Sequence, residues 1–123
     1  MGTDKGRAPE HRNEVVLRGR LAAPAEERRL PSGDALVVFR LVVARSPAAR
    51  RRTDGGPSVD TLDCVAWRAP VRRAALGWQV GDVVEVEGAL RRRFWRAAAG
   101  PASRCEVEVA AARVAVRAGL GAP

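Results

Sequence analysis

One stretch of the chain, residues 35–45 (ALVVFRLVVAR), constrains the fold more than any other feature of the sequence. It is dense in Val, Leu and Phe and follows a turn signal, PSGD, which is typical of a strand that starts after a turn. Further segments of high β-propensity are residues 14–21, with 26–30 continuing that strand, then 59–68, 82–95 and 105–116. The sequence therefore predicts a domain of five strands.

A single helix is predicted between the third and fourth strands. Residues 69–80 begin with Ala69 and Pro70, and proline suits the first turn of a helix. Gly19 and Gly88 lie inside predicted strands, where glycine marks a bulge or a sharp bend. Five strands in a closed Greek-key barrel, with a helix between strands 3 and 4, are the OB-fold. The predicted fold class is therefore all-β, a five-stranded OB-fold barrel.

The segments outside these elements give the predicted domain limits. Residues 1–12 show no periodicity and are predicted to form a flexible N-terminal arm. Residues 13–117 are predicted to form the OB-fold domain and 118–123 a short tail. Residues 46–58 (SPAARRRTDGGPS) are predicted to be a loop, and 97–102 a hairpin loop.

Composition allows one small core. The chain has 123 residues, 46% of them hydrophobic, and no apolar run approaches the roughly 20 residues that a membrane-spanning helix needs. The N-terminal region is polar and charged, without the apolar segment of a secretory signal. We therefore expect a cytoplasmic protein that does not enter a membrane.

The formal net charge is +8, from 22 Lys and Arg against 14 Asp and Glu. Such an excess favours a polyanionic partner, either a nucleic acid or an anionic membrane surface. Only Lys5 among the cations is a lysine, which is typical of a GC-rich genome and explains the kind of cation but not the net excess. Charge alone leaves both interpretations open.

No set of catalytic or metal-binding residues stands out. Cys64, Cys105 and His11 are too few for a four-ligand zinc site, and the cysteines are expected to be buried thiols. A disulfide between them is the alternative, which a reducing cytoplasm disfavours. There is no phosphate-binding glycine loop, no GxSxG motif and no histidine inside the predicted domain. We predict neither a cofactor nor an enzymatic activity.

Alternation along residues 82–95 separates two faces of the fourth strand. The face predicted to lie in the core carries Val84, Val86, Leu90 and Phe94. The opposite face carries Glu85, Glu87, Arg91, Arg93 and Trp95. An indole beside arginines on a solvated face suits base stacking combined with phosphate contacts. The alternative is that Trp95 packs under a loop.

The third strand repeats this arrangement. Its predicted core face carries Leu62, Cys64 and Ala66, and its other face carries Thr61, Asp63, Val65 and Trp67. Trp67 is followed by Arg68, and Arg40 on the second strand is assigned to the same surface, opposite Phe39, Leu41 and Val43. Two interpretations remain for Arg50, Arg51 and Arg52. These loop arginines either contact a nucleic-acid strand or form a solvent-exposed segment without a binding role. Trp78 is expected in the core, and Arg72 and Arg73 on a solvated helix face.

Four segments occur in a specific order and spacing. They are 13–21 (NEVVLRGRL), 30–33 (LPSG) with 38–42 (VFRLV), 63–68 (DCVAWR), and 81–88 (GDVVEVEG) with 90–91 (LR). With this set the chain resembles the bacterial single-stranded DNA-binding proteins, from Asn13 to about Val116.

The resemblance implies a homotetramer of OB-folds that wraps single-stranded DNA, with Trp67 and Trp95 at two of the family's stacking positions. Two other positions, often aromatic in the family, fall on Thr61 and around Pro47, so fewer stacking platforms are expected. Arginine–phosphate contacts would then make binding more sensitive to salt. Family members usually carry a long acidic tail that recruits partners. The present sequence stops at Pro123, so we expect a short paralogue without such recruitment; a chain cut short of its tail would look the same.

The predicted function is binding of single-stranded DNA with little sequence preference, in DNA replication, repair or recombination, at the cytoplasmic nucleoid. Base stacking is assigned to Trp67 and Trp95. Phosphate contacts are assigned to Arg40, Arg68, Arg91, Arg93, Arg50, Arg51 and Arg52. The alternative is an OB-fold subunit that mainly docks a protein partner or RNA and binds single-stranded DNA weakly.

Overall fold

The computed structural model describes residues 10–52 and 56–119. The strands are β1 (Val15–Leu21), β2 (Glu26–Arg29), β3 (Ala35–Ala44), β4 (Val59–Ala66), β5 (Val83–Ala97) and β6 (Gly100–Val116). The helices are α1 (Pro47–Arg52) and α2 (Ala69–Leu76). Most of the predicted N-terminal arm and tail, and three residues of the loop predicted at 46–58, lie outside the described residues.

Five strands close into a barrel. β3 pairs antiparallel with β1 and β4, and β5 pairs antiparallel with β1 and β6. A short parallel pairing of β4 with β6, at Cys64 with Val107 and Val65 with Glu108, completes the ring. This closed, mixed barrel, with α2 between β4 and β5, confirms the predicted OB-fold.

The core fills the barrel, and α2 packs on it. Side chains that alternate along β3 point inward, so that Phe39 and Leu41 are buried. Val71 and Ala75, one turn apart on α2, join the same cluster. The ring of Trp78 meets that of Phe39 edge to face, with 5.1 Å between centroids. The prediction that Trp78 packs in the core is therefore confirmed.

The sequence predicts that residues 26–30 continue the first strand, and this prediction is wrong. Strand β1 ends at Leu21, and β2 pairs instead with β3, from Glu26 opposite Val38 to Arg29 opposite Ala35. Pro24 lies in the break. Proline has no backbone N–H to donate to a strand ladder, which explains why β1 cannot run through this position.

The segment predicted as a loop at 46–58 contains α1. The Ser46 hydroxyl accepts a hydrogen bond from the backbone N–H of Ala49 at 3.2 Å, and Pro47 is the first helical residue. These are two helix-start signals that the loop assignment overlooked. Helix α2 is four residues shorter than predicted, because Gly77 donates its N–H back to the Ala74 carbonyl and closes the last turn.

Strands β5 and β6 continue beyond the barrel as a two-stranded hairpin, here called the hairpin arm (residues 91–106). β1 pairs with β5 only as far as Gly88, whereas β6 pairs with β5 along its whole length. A two-residue turn at 98–99 joins the strands, so the loop predicted at 97–102 is shorter than expected.

The hairpin arm overturns three burial predictions. Leu90 is 48% and Phe94 73% exposed. Alternation along β5 predicts both in the core, but the strand has already left the barrel at these positions. Cys105 is exposed for the same reason, against the prediction of two buried thiols. Cys64 is buried as predicted, and burial raises the pKa of its thiol to about 12. Val65, predicted on the outer face of β4, is also buried.

Gly88 lies where the backbone of β6 leaves no room for a side chain on β5. A Cβ at this position would stand 1.9 Å from the backbone oxygen of Glu108. The register shifts at the same point, with Glu87 opposite Ala111 and Gly88 opposite Val109, so β6 carries one extra residue. The irregularity that the sequence predicts at Gly88 is therefore present, and a side chain is excluded there.

Gly88→Ala should destabilise the fold by about 1–3 kcal/mol or more, because the backbone must move to admit a methyl group. Gly77→Ala is the matched control, since its nearest neighbouring atom would be 3.5 Å away. Urea unfolding of both variants measures the difference. Equal free energies of unfolding would contradict the close approach.

Asp82 is a fully buried carboxylate that ties the end of β6 to the turn before β5. It accepts hydrogen bonds from the backbone N–H groups of Ala118 at 2.7 Å and Gln79 at 2.9 Å. Arg117 stands 3.7 Å away. The hydrogen bonds, that from Ala118 first, lower the pKa of Asp82. The ionised carboxylate thus stabilises the folded chain.

Because the folded-state pKa of Asp82 is depressed, its stabilisation is complete above the unfolded-state pKa of about 3.9 and is lost as the pH falls through the folded value. Asp82→Asn should lower the melting temperature at neutral pH and make stability fall less steeply in acid. Thermal unfolding at neutral pH and at about pH 3 measures both, with Asp34→Asn in an exposed turn as control. Parallel acid profiles for wild type and D82N would contradict the assignment.

Candidate nucleic-acid interface

Neighbouring strands form one outward surface, here called the tryptophan face. Arg40 on β3 and Asp63 on β4 are cross-strand partners that point outward, and Trp67 follows the end of β4. On the hairpin arm the pairs on this side are Arg91 with Glu106, Arg93 with Arg104 and Trp95 with Ala102. The face comprises Arg40, Asp63, Trp67, Arg91, Arg93, Trp95, Arg104, Glu106 and Glu108.

Both tryptophans of this face are open to solvent. The exposed fraction is 39% for Trp67 and 42% for Trp95, against 9% for Trp78. Trp67 lines two depressions of about 330 and 420 Å³, both of which also border Arg91. The guanidinium carbon of Arg104 lies 5.8 Å from the ring centre of Trp95, within cation–π range. The structure places both indoles off the core, as strand alternation predicts.

The arginines of the tryptophan face are paired with carboxylates. The pairs are Arg40 with Asp63 at 2.7 Å, Arg104 with Asp63 at 3.6 Å, Arg91 with Glu108 at 2.7 Å and Arg93 with Glu106 at 4.0 Å. These arginine side chains are between 44% and 61% exposed. The carboxylates are less exposed, at 29% for Asp63, 39% for Glu108 and 12% for Glu106. Exposed pairs contribute roughly 0–1 kcal/mol, so a phosphate can replace the carboxylate at little cost where both partners are exposed, as for Arg91 with Glu108. The sequence analysis missed these pairs because the partners come from different strands.

Arg68 is bound to the protein backbone beside Trp67. Its guanidinium donates a hydrogen bond to the Ala110 carbonyl at 2.8 Å, at the extra residue of β6. Arg72 donates to the Trp67 carbonyl. Arg68 therefore borders the same depression as Trp67, but its guanidinium is already hydrogen-bonded to the backbone of β6.

The arginines of α1 lie apart from the tryptophan face. Arg50 and Arg51 border a shallow depression of their own, and Arg52 is exposed at the end of the helix. At the root of this segment Arg45 and Asp60 pair at 2.8 Å, and the hydrogen bonds from Arg45 lower the pKa of Asp60. Neither Trp67 nor Trp95 is among the residues that line the depression at α1.

Phe94 is the aromatic residue that sequence reasoning assigned wrongly. It is the most exposed large apolar side chain that the structure describes, and it stands opposite Ser103 on the side of the hairpin arm away from Trp95. Alternation puts Phe94 on the same side of β5 as Val84 and Val86. It does not reveal where the strand leaves the barrel.

Neither a metal cluster nor a membrane segment is found in the described residues. Within 10–52 and 56–119, no group of three His, Cys, Asp or Glu side chains could hold a metal ion. In the same residues no helix has the length and hydropathy needed to cross a membrane.

Comparison with known proteins identifies the family. The family model described as the single-strand binding protein family matches residues 12–116. The chain belongs to this family. The resemblance predicted from sequence segments is thereby confirmed.

Two curated relatives are Single-stranded DNA-binding protein 2 of Listeria innocua and Single-stranded DNA-binding protein of Oceanobacillus iheyensis. Each is 35% identical over 81 residues, which is 66% of this chain and 49% or 48% of the relative. The chain thus spans about half the length of these relatives. Among solved structures, the Plasmodium falciparum SSB complex with ssDNA matches with a TM-score of 0.69 and 20% identity, over 87% of this chain and 96% of that one. This likeness supports the fold.

Iodide quenching of fluorescence separates the exposed indoles from the buried one. Trp67→Phe combined with Trp95→Phe should leave emission from Trp78 alone, blue-shifted and poorly quenched, because that ring is buried. Trp78→Phe should leave emission that iodide quenches at least as strongly as in the wild type. Strong quenching of the double variant would contradict the described exposure.

Proposed function

We propose that the chain binds single-stranded DNA with little sequence preference across the tryptophan face. One observation supports this most directly: Trp67 and Trp95 are both partly exposed on a surface that also bears four arginines. Family membership and the names of the relatives agree with it.

Stacking supplies most of the proposed affinity. A base that stacks on an aromatic side chain contributes about 1–3 kcal/mol, whatever the base, because every base has a flat π-face. Trp67 and Trp95 would each hold at least one base in this way. Arg104, already over the Trp95 ring, would lie beside a base stacked there. Little sequence preference follows, since stacking does not read base edges.

The arginines of the tryptophan face would bind phosphates by exchange. A phosphate that displaces Asp63, Glu106 or Glu108 leaves that carboxylate to take up a cation from solution. The net number of ions released on binding is then smaller than the number of arginine–phosphate contacts. The salt dependence of the affinity is set by that net release. We therefore propose weaker salt dependence for this face than the sequence analysis expected.

Family membership also motivates proposals beyond the DNA contact. We propose a homotetramer that functions in DNA replication, repair or recombination, at the nucleoid, without catalytic activity or cofactor. The other candidate function is a subunit that docks protein or RNA. The carboxylates among the arginines favour it, because they reduce the positive charge of the face. Comparing oligo-dT with oligo-rU distinguishes a DNA site from an RNA site.

Trp67→Ala and Trp95→Ala should each weaken binding to oligo-dT by about 5- to 150-fold, in line with the loss of one stacked base. Trp67→Phe and Trp95→Phe should lose less, because a ring remains. Leu76→Ala removes an equally exposed apolar side chain from α2 and should have no effect. Fluorescence anisotropy of a labelled oligonucleotide at one fixed salt concentration measures all five.

Wild-type affinity in both alanine variants would refute stacking on these residues. Tighter binding of oligo-rU than of oligo-dT would favour the RNA-docking alternative.

A further inference from the structure

The hairpin arm has a second side, here called the phenylalanine face, that points away from the tryptophan face. On β5 it carries Arg92, Phe94 and Arg96, since side chains alternate along a strand. The residues opposite them on β6 are Cys105, Ser103 and Pro101. The tryptophan and phenylalanine faces are therefore the two sides of one ribbon, and Arg92 also borders one of the depressions that Trp67 lines.

Phe94 stands between two arginines on this face. Its side chain is 73% exposed. Arg92 donates a hydrogen bond from Nη1 to the Ser103 hydroxyl at 2.9 Å, which holds its guanidinium across the strand pair next to Phe94. Arg92 and Arg96 are separated by four residues of strand, about 14 Å at 3.4 Å per residue. Phe94 is therefore an aromatic ring with one arginine on each side along the strand.

The phenylalanine face differs from the tryptophan face in charge. Among the described residues, no carboxylate lies on this side of the hairpin arm, and none comes within 4.0 Å of Arg92 or Arg96. On the other side each arginine has an acidic partner. The positive charge of Arg92 and Arg96 is thus uncompensated, and a ligand that approaches Phe94 meets it directly.

A polyanion with flat apolar groups fits this arrangement better than a protein surface does. The fully buried centre of a protein interface is a contiguous apolar patch, whereas here a single aromatic ring lies between two guanidinium groups. Bases on an aromatic platform with phosphates on flanking arginines match it instead.

The root of the hairpin arm is hydrogen-bonded to the chain that precedes β1. The Asn13 side chain donates to the Leu90 carbonyl and accepts from the Leu90 N–H, each at 2.8 Å. These two side-chain bonds join the chain before β1 to β5 two residues beyond the last ladder pair, Val15 with Gly88.

We propose that the phenylalanine face binds a second segment of single-stranded DNA, so that a strand bound on the tryptophan face continues around the hairpin arm. Phe94 stacks a base of that segment, and Arg92 and Arg96 bind its phosphates. This inference rests on the proposed function. It adds a binding site that strand alternation had assigned to the core.

The test compares a short and a long strand. Phe94→Ala should weaken binding of poly-dT at least about fivefold, the lower end for one stacked base. It should leave a short oligo-dT, within the roughly 4–16 nucleotides that one OB-fold covers, unchanged within about twofold. Phe94→Trp should restore poly-dT binding. Leu76→Ala is the control for loss of an exposed apolar side chain.

A salt titration tests the arginines of the same face. Arg96→Gln should reduce the slope of log affinity against log salt for poly-dT by about 0.7, the value for one phosphate contact to a single strand. Arg73→Gln, at an exposed position of α2, should leave that slope unchanged. Equal slopes for the wild type and R96Q would contradict the phosphate contact.

The outcomes separate this inference from the proposed function. If W67A and W95A weaken the short oligonucleotide while F94A affects neither strand, the second segment is refuted and the tryptophan face stands. Equal losses in F94A on short and long strands would place Phe94 in the first segment and also refute the inference. A smaller mass of F94A in light scattering would assign Phe94 to a contact between copies, again against the proposal. A wild-type protein that binds neither strand would refute both.

Discussion

The continuous antiparallel pairing of β5 with β6 is the interaction on which the rest of the structure depends. From Val83 to Gly88 this pairing is one wall of the barrel, and from residue 91 to 97 the same ladder becomes the hairpin arm. The backbones can approach at Gly88 because no side chain intervenes. Barrel closure and the position of Trp95 therefore depend on one ladder.

The charge of the tryptophan face is largely compensated before any ligand binds. Asp63 alone accepts two arginines, one from β3 and one from β6, and so links the barrel to the hairpin arm. These pairs orient the guanidinium groups without adding much stability, because exposed ion pairs are weak. Binding at this face would then depend on the two indoles more than on the net charge of +8. On the reverse side of the hairpin arm, Arg92 and Arg96 have no carboxylate within 4.0 Å among the described residues.

Strand alternation and turn signals were sufficient to predict the barrel, α2 and the outward placement of Trp67 and Trp95. Those features depend on local patterns, and their physical causes act within a few residues. The exposed Phe94 and Cys105 could not be predicted in the same way, since their burial depends on where β1 stops covering β5. The carboxylate partners of the arginines were missed because they come from other strands. The helix α1 was predictable in principle, from Ser46 and Pro47.

Binding across the tryptophan face is best tested by photo-crosslinking of oligo-dT to the wild-type protein, with the modified residues mapped by mass spectrometry. Crosslinks are expected at Trp67 and Trp95. Crosslinks confined to α1, α2 or the outer side of β1, with neither tryptophan modified, would contradict it.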